Sequence, residues 1–168
     1  MAFDFDKLSG VIADIAQRPC LVLIRALPGG GKTTLASQIR SILMNDVDVI
    51  GDQNVIVTGA DDFMVDERGE HKYDVTKVQW CHERCLSRAS VHLDDYDWVI
   101  VTNTFVEHWE MAKYFSLAQR LRKDCYVIDL FDGGCTDEQL AERGVHVKSV
   151  EYIAKKRNAY FHCPQWRI

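Results

Sequence analysis

A chain of 168 residues with 20 lysines and arginines against 25 aspartates and glutamates carries a formal charge of −5. That length can bury a core as one domain, and the acidic balance excludes an overall electrostatic trap for duplex nucleic acid. No apolar run approaches a membrane span, and the acidic start Met1-Ala2-Phe3-Asp4 lacks a secretion-signal layout, so the expectation is a cytoplasmic protein without membrane contacts.

Leu8, Val11, Ile12 and Ile15 recur at helical spacing, which predicts an opening helix that stops before Arg18-Pro19. Cys20 to Ala26 is a short, mostly apolar run, suited to a central parallel strand covered on both faces. It leads into Ala26-Leu27-Pro28-Gly29-Gly30-Gly31-Lys32-Thr33, the spacing of a phosphate-binding P-loop with Ala26 in the first glycine position. Glycines are needed there because consecutive backbone N–H groups must turn inward around a polyphosphate. Pro28, Gly29, Gly30, Gly31, Lys32, Thr33 and Thr34 are therefore the candidate ATP-binding residues. Lys32 suits the outer phosphates, the Thr33 hydroxyl suits a magnesium ion (Mg2+), and the first turn of the next helix offers unpaired N–H groups.

Leu35, Ile39, Ile42 and Leu43 mark the inner face of that helix, and Asn45 to Asn54 reads as a turn around Gly51. Val55-Ile56-Val57 predicts a second strand that delivers Asp61-Asp62 at its carboxyl end. Val65 to Asp74 is polar and aperiodic, the pattern of a loop long enough to cover a site. Val78, Cys81, Cys85 and Ala89 form the apolar stripe of the next helix. Zinc ligation by Cys81, His82 and Cys85 is disfavoured, since no second ligand pair follows at zinc spacing. Cys20, Cys125, Cys135 and Cys163 likewise read as reduced thiols. Trp98 to Val101 is a third strand ending in Thr102-Asn103-Thr104; a helix around Met111 to Ala118 and a strand from Cys125 to Phe131 follow. A short helix from about Thr136 to Arg143, between Gly134 and Gly144, predicts a hinged lid, and the last helix spans about Ser149 to Tyr160.

Strands alternating with helices after a P-loop predict an α/β fold: a three-layer P-loop NTPase sandwich with a mostly parallel sheet and a small helical lid. The expected organisation is a single domain over 1–168, with an N-terminal helix within 1–18 and the lid at about 133–148. Ligands of such sheets bind beyond the carboxyl ends of the strands, which gathers the P-loop, Asp61-Asp62 and Asn103-Thr104 around one crevice. A carboxylate at a strand end can accept the proton of an attacking hydroxyl, and both Asp61 and Asp62 fit. Asn103 and Thr104 can hydrogen-bond a substrate. Arg143 can reach a transferred phosphoryl group from the lid and help to exclude water, with His146 and Lys148 as weaker lid candidates. Arg120, Arg122 and Lys123, like Lys155, Lys156 and Arg157, read as solvated helix ends. The strand Trp98 to Thr102 ends without an acidic residue, so the Walker-B carboxylate of a motor ATPase is missing.

Five pieces occur in order: Leu27-Pro28-Gly29-Gly30-Gly31-Lys32-Thr33-Thr34, Ala60-Asp61-Asp62-Phe63, Gly69-Glu70-His71-Lys72-Tyr73-Asp74 with His82, Asn103-Thr104 with Trp109-Glu110-Met111, and Leu140-Ala141-Glu142-Arg143. The series resembles the P-loop kinase family that includes phage polynucleotide kinase and the animal proteins with a polynucleotide-kinase-like P-loop domain. The resemblance implies transfer of the γ-phosphate of ATP, with Mg2+, to a hydroxyl of a nucleic acid or nucleotide. It puts Asp61 in the position of the general base and Arg143 in that of a lid arginine; Lys32 of the P-loop joins them as an expected catalytic residue, and Asp62, Asn103 and Thr104 are expected to bind substrate. Met64 or Val65 stands where the phage enzyme holds the substrate phosphate with an Arg, Thr102 where relatives are often acidic, and Gly144 where they usually carry Asn. These departures leave two acceptors open, a 5′-hydroxyl of DNA or RNA and a 5-hydroxymethyl pyrimidine in DNA. A small-metabolite kinase and a nucleotide-binding module with little turnover are the alternatives. No phosphatase or ligase activity is expected of this chain, and its oligomeric state stays open.

Overall fold

Four apolar runs become four strands: β1 Leu21–Ala26, β2 Val55–Thr58, β3 Trp98–Val101 and β4 Cys125–Phe131. The structure is a computed structural model that describes residues 5–46, 54–95, 97–144 and 149–168. The strands form one sheet in the order β2-β3-β1-β4, and every pair is parallel, where a mostly parallel sheet was expected. Parallel neighbours require long crossovers, and the helices supply them. The helices are α1 Phe5–Ile15, α2 Lys32–Asp46, α3 Val78–Asp94, α4 Ala112–Leu121, α5 Asp137–Arg143 and α6 Val150–Asn158.

Side chains alternate across each strand, so the sheet has two apolar faces. Val22, Ile24 and Ala26 join Ile39 and Leu43 of α2 and Ile15 of α1 on one side, while Leu21 and Leu23 join Cys85 and Ala89 of α3 and Leu117 and Ala118 of α4 on the other. Strand β1 is buried along its whole length, which places its carboxyl end, and the loop it launches, at the centre of the sheet's edge. Cys81 and Cys85 are core residues as expected, and burial pushes the Cys20 and Cys125 thiols up to about 12. Such thiols stay protonated and unreactive. No described helix is long and apolar enough to cross a membrane.

The segment from Val65 to Asp74 is a loop, as expected, and it is closed on itself: Val65 and His71 form an antiparallel bridge, Lys72 N–H donates to the Met64 carbonyl, and Gly69 turns the chain at φ +79°. Met64 is buried against Cys81 beneath it. The C-terminal segment packs back on β4: Asp129 N–H donates to the Trp166 carbonyl and Ile168 N–H to the Asp129 carbonyl. The turn around Gly51 and the lid candidates His146 and Lys148 lie outside the described residues.

The mostly apolar run of β1 carries one charge, Arg25. Arg25 and Asp129 are register partners on β1 and β4, both wholly buried, with Nη1 of Arg25 3.4 Å from Oδ2 of Asp129. Arg25 also donates to the carbonyls of Phe105, Phe161 and Val106, and its guanidinium stacks 4.1 Å from the Tyr160 ring centroid. Asp129 in turn accepts from the Tyr160 hydroxyl at 2.7 Å and from Phe131 N–H at 2.8 Å. The cluster ties the strand that launches the P-loop to three other segments. Asp129→Ala leaves a buried guanidinium without its counter-charge and should cost about 3–5 kcal/mol, read from urea denaturation. A loss below about 1 kcal/mol would show that the three carbonyls suffice.

Candidate active site

The P-loop is shaped by contacts from β4 and α5. Leu27 N–H donates to the Phe131 carbonyl at 2.7 Å, and Gly30 N–H to the Leu27 carbonyl at 3.0 Å. Phe131 itself sits at φ +53°, where β4 slips register against Ala26. A Cβ on Gly30 would lie 2.9 Å from the Ala26 methyl and 3.0 Å from the carbonyls of Leu27 and Phe131. The same contact explains Ala26, since a larger side chain there would run into the loop. Gly29, at φ +77°, lies so close to the Leu140 carbonyl that any Cβ would collide with α5. The short helix read as a lid therefore rests on the P-loop backbone. Gly31 meets no such neighbour, and its φ of +90° is what requires glycine.

Helix α2 starts at Lys32, and its first helical bond outside the element runs from Leu35 N–H to the Gly31 carbonyl at 3.0 Å. The amides of Lys32, Thr33 and Thr34 precede that bond and are left for an anion. The hydroxyl of exposed Thr33 has no hydrogen-bond partner among the described residues, so it fits a metal ion held beside bound phosphates. Among the described residues there is no cluster of three or more His, Cys, Asp or Glu able to hold a metal by itself.

Lys32 Nζ donates to the carbonyls of Ala26 and Leu27, each at 3.2 Å. Burial pulls its ammonium down to about 8, and the charge of Asp61 works against that fall. A bound polyphosphate favours the charged form. Below about pH 8 the ligand-free ammonium is already charged; above it, binding must take up a proton. Nucleotide affinity should therefore be level below about pH 8 and fall up to about tenfold per pH unit above it, with proton uptake visible calorimetrically. Constant affinity from pH 7 to 9.5 would contradict this.

A single turn of 3-10 helix, Ala60–Phe63, follows β2 and carries both aspartates, which the structure separates. Asp62 Oδ2 accepts from Thr58 Oγ1 at 3.2 Å and from Gly59 N–H at 3.0 Å, and lies 3.9 Å from Arg88 Nη1. It caps its own turn and pairs with α3. Asp61 is exposed, its carboxylate makes no hydrogen bond among the described residues, and its charge acts on Lys32 across the crevice. Of the two, only the Asp62 carboxylate is engaged by its own turn and α3.

Asn103 and Thr104 follow β3 as expected, with Thr104 half-buried. Asn103 is buried, and its Oδ1 accepts from Ala60 N–H at 2.8 Å, so its carboxamide faces the protein and not the crevice. Arg143 ends α5, is exposed, and donates from Nη1 to Cys135 Sγ at 2.7 Å. Sequence reasoning missed Arg157. It is not a solvated helix end: it pairs with Asp132 and Asp137 and donates to the Cys135 carbonyl at 3.0 Å. Helix α6 lies across α5, which turns this last-turn side chain inward onto the segment where Gly133 and Gly134 take φ of +59° and +76°. Two acidic residues flanking that glycine pair were the available signal.

A parallel sheet, with a P-loop on its buried central strand and a lysine in that loop, defines a P-loop fold. The chain belongs to a family described as AAA domain, whose model matches residues 21–158. It is 30% identical over 146 residues to human NEDD4-binding protein 2, covering 83% of this chain but only 8% of that protein's length. Among solved structures it is similar to the Pnkp1/Rnl/Hen1 RNA repair complex (TM-score 0.62, 16% identity, 84% of this chain and 44% of that one). It is also similar to the Mycobacterium tuberculosis APS kinase CysC in complex with AMPPNP and APS (0.52, 16%, 67% and 62%). A third likeness is to a gluconokinase from Sinorhizobium meliloti 1021 (0.53, 13%, 89% and 81%). At these identities the solved structures show the fold alone.

Proposed function

We propose that this domain transfers the γ-phosphate of ATP to a hydroxyl of a nucleic acid or nucleotide. The observation that carries the reading is the division between the two aspartates: Asp62 is engaged within its turn, while Asp61 stands exposed and within electrostatic reach of Lys32. A module that only binds nucleotide has no use for such a base. In the proposed reaction the P-loop amides and Lys32 hold the polyphosphate, and Asp61 accepts the proton of the acceptor hydroxyl as its oxygen bonds to the γ-phosphorus and the bond from that phosphorus to the bridging oxygen breaks, releasing ADP. The Thr33 hydroxyl would hold a magnesium ion, which would supply charge neutralisation on the phosphates. Arg143 leaves Cys135 to meet the transferred group, and α5 excludes water over the loop. The likeness to an RNA repair complex supports a nucleic-acid acceptor, while the APS kinase and gluconokinase likenesses keep a small-molecule acceptor as the second reading.

The test is an acceptor panel with labelled ATP: 5′-hydroxyl DNA and RNA, DNA bearing 5-hydroxymethyl pyrimidines, nucleosides, APS and gluconate. Label on a nucleic acid or nucleotide is expected. Label confined to APS or gluconate would move the assignment to a metabolite kinase, and tight ATP binding with no label anywhere would leave a binding module.

A further inference from the structure

The turn that carries Asp61 is held from behind by a buried polar group that the proposed chemistry does not use. Asn103 accepts the Ala60 N–H, the backbone donor immediately before Asp61, at 2.8 Å. Its own Nδ2 donates to the Tyr114 hydroxyl at 3.5 Å and to Cys85 Sγ at 3.9 Å. The Tyr114 hydroxyl in turn donates to Cys85 Sγ at 3.3 Å, and Thr58 Oγ1 lies 4.0 Å from the same sulfur. Three segments therefore meet at one amide: the end of β3, helix α4 through Tyr114, and helix α3 through Cys85. Burial pushes both the Cys85 thiol and the Tyr114 phenol up, so the network is neutral and does not compete with Asp61 for protons.

A primary amide is well matched to this place. It offers an acceptor to the turn on one side and donors to the interior on the other, and the interior contacts fix which way it faces. The space for adjustment is small, because a Cβ on Gly59 would lie 3.1 Å from Thr102 Oγ1 and 3.6 Å from Asn103 Oδ1. The turn thus sits directly on the end of β3. We infer that Asn103 is a positioning residue that sets the aim of Asp61 by fixing the Ala60 amide, and that Tyr114 orients the Asn103 carboxamide. This rests on the reading of Asp61 as the base.

The experiment compares wild type, Asn103→Ala, Tyr114→Phe and Asp61→Asn for kcat and for KM of ATP on the acceptor that takes label, with amide hydrogen exchange at Ala60. Asn103→Ala should lower kcat about 100-fold, the cost of a misplacement near 1 Å, with KM for ATP within about threefold of wild type. The Ala60 amide should exchange at least about tenfold faster. Tyr114→Phe, which removes one hydroxyl and serves if Asn103→Ala does not fold, should lower kcat about fivefold at unchanged KM. An unchanged kcat, an equal loss in ATP binding, or an Ala60 amide still protected in Asn103→Ala would overturn the inference. An undiminished kcat in Asp61→Asn would instead overturn the reading of the base, whatever Asn103→Ala does.

Discussion

Lys32→Ala is expected to lower kcat/KM for ATP by at least about 10²–10³-fold, the range for removing one preorganised charge-bearing donor from a phosphate site. The ammonium lies within the loop, on the carbonyls of Ala26 and Leu27, and no other lysine or arginine occurs from Ala26 to Ser37. Its removal leaves the unpaired amides of the α2 first turn to hold the phosphates without a positive charge from the loop itself. The fold should be retained, since Lys32 bonds only to local backbone and the packing beneath it is carried by Leu35, Ile39 and Leu43. Steady-state kinetics beside thermal unfolding separates the two effects. Normal turnover in this variant would exclude the P-loop as the phosphate site.

Asp61→Asn should lower kcat by about 10²–10⁴-fold while nucleotide binding at neutral pH is largely kept, because the substitution preserves shape and removes only the proton acceptor. The electrostatics add a second signature. Asp61 supports the charged form of Lys32, so its neutralisation should move the alkaline fall of nucleotide affinity to below about pH 8. Asp62→Asn is expected to behave differently. Its carboxylate holds the Thr58 hydroxyl and the Gly59 amide, so the variant should lose stability, and kcat should fall less than in Asp61→Asn. Equal kcat losses in the two variants would remove the distinction drawn between them.

The P-loop was legible because strand, glycines, Lys-Thr and helix must occur in that order, and the four strands because each is an apolar run bounded by turn residues. Which of Asp61 and Asp62 folds back onto its own turn was not legible from the residues themselves, and only the resemblance singled out Asp61. Adjacent carboxylates look alike until a turn directs one back onto its own strand. Asn103 read as a substrate contact for a related reason: a polar residue at a strand end faces either the crevice or the interior, and only the packing of α3 and α4 decides which. Arg25 and Asp129 are single charges in two apolar runs, and that complementarity was the available clue to a buried pair in neighbouring strands. Arg157 was hidden because its partners lie 20 and 25 residues earlier, around Gly133 and Gly134; the acidic residues there pointed to a basic partner but not to which one.

The most direct test of the account is the initial rate of labelled γ-phosphate transfer from ATP to a 5′-hydroxyl oligonucleotide and to a hydroxymethyl-pyrimidine DNA, set against release of inorganic phosphate in the same reaction. Label should appear on nucleic acid faster than phosphate is released to water, and both rates should depend on Lys32. ATP turnover that releases phosphate at the same rate with or without any hydroxyl acceptor would contradict it.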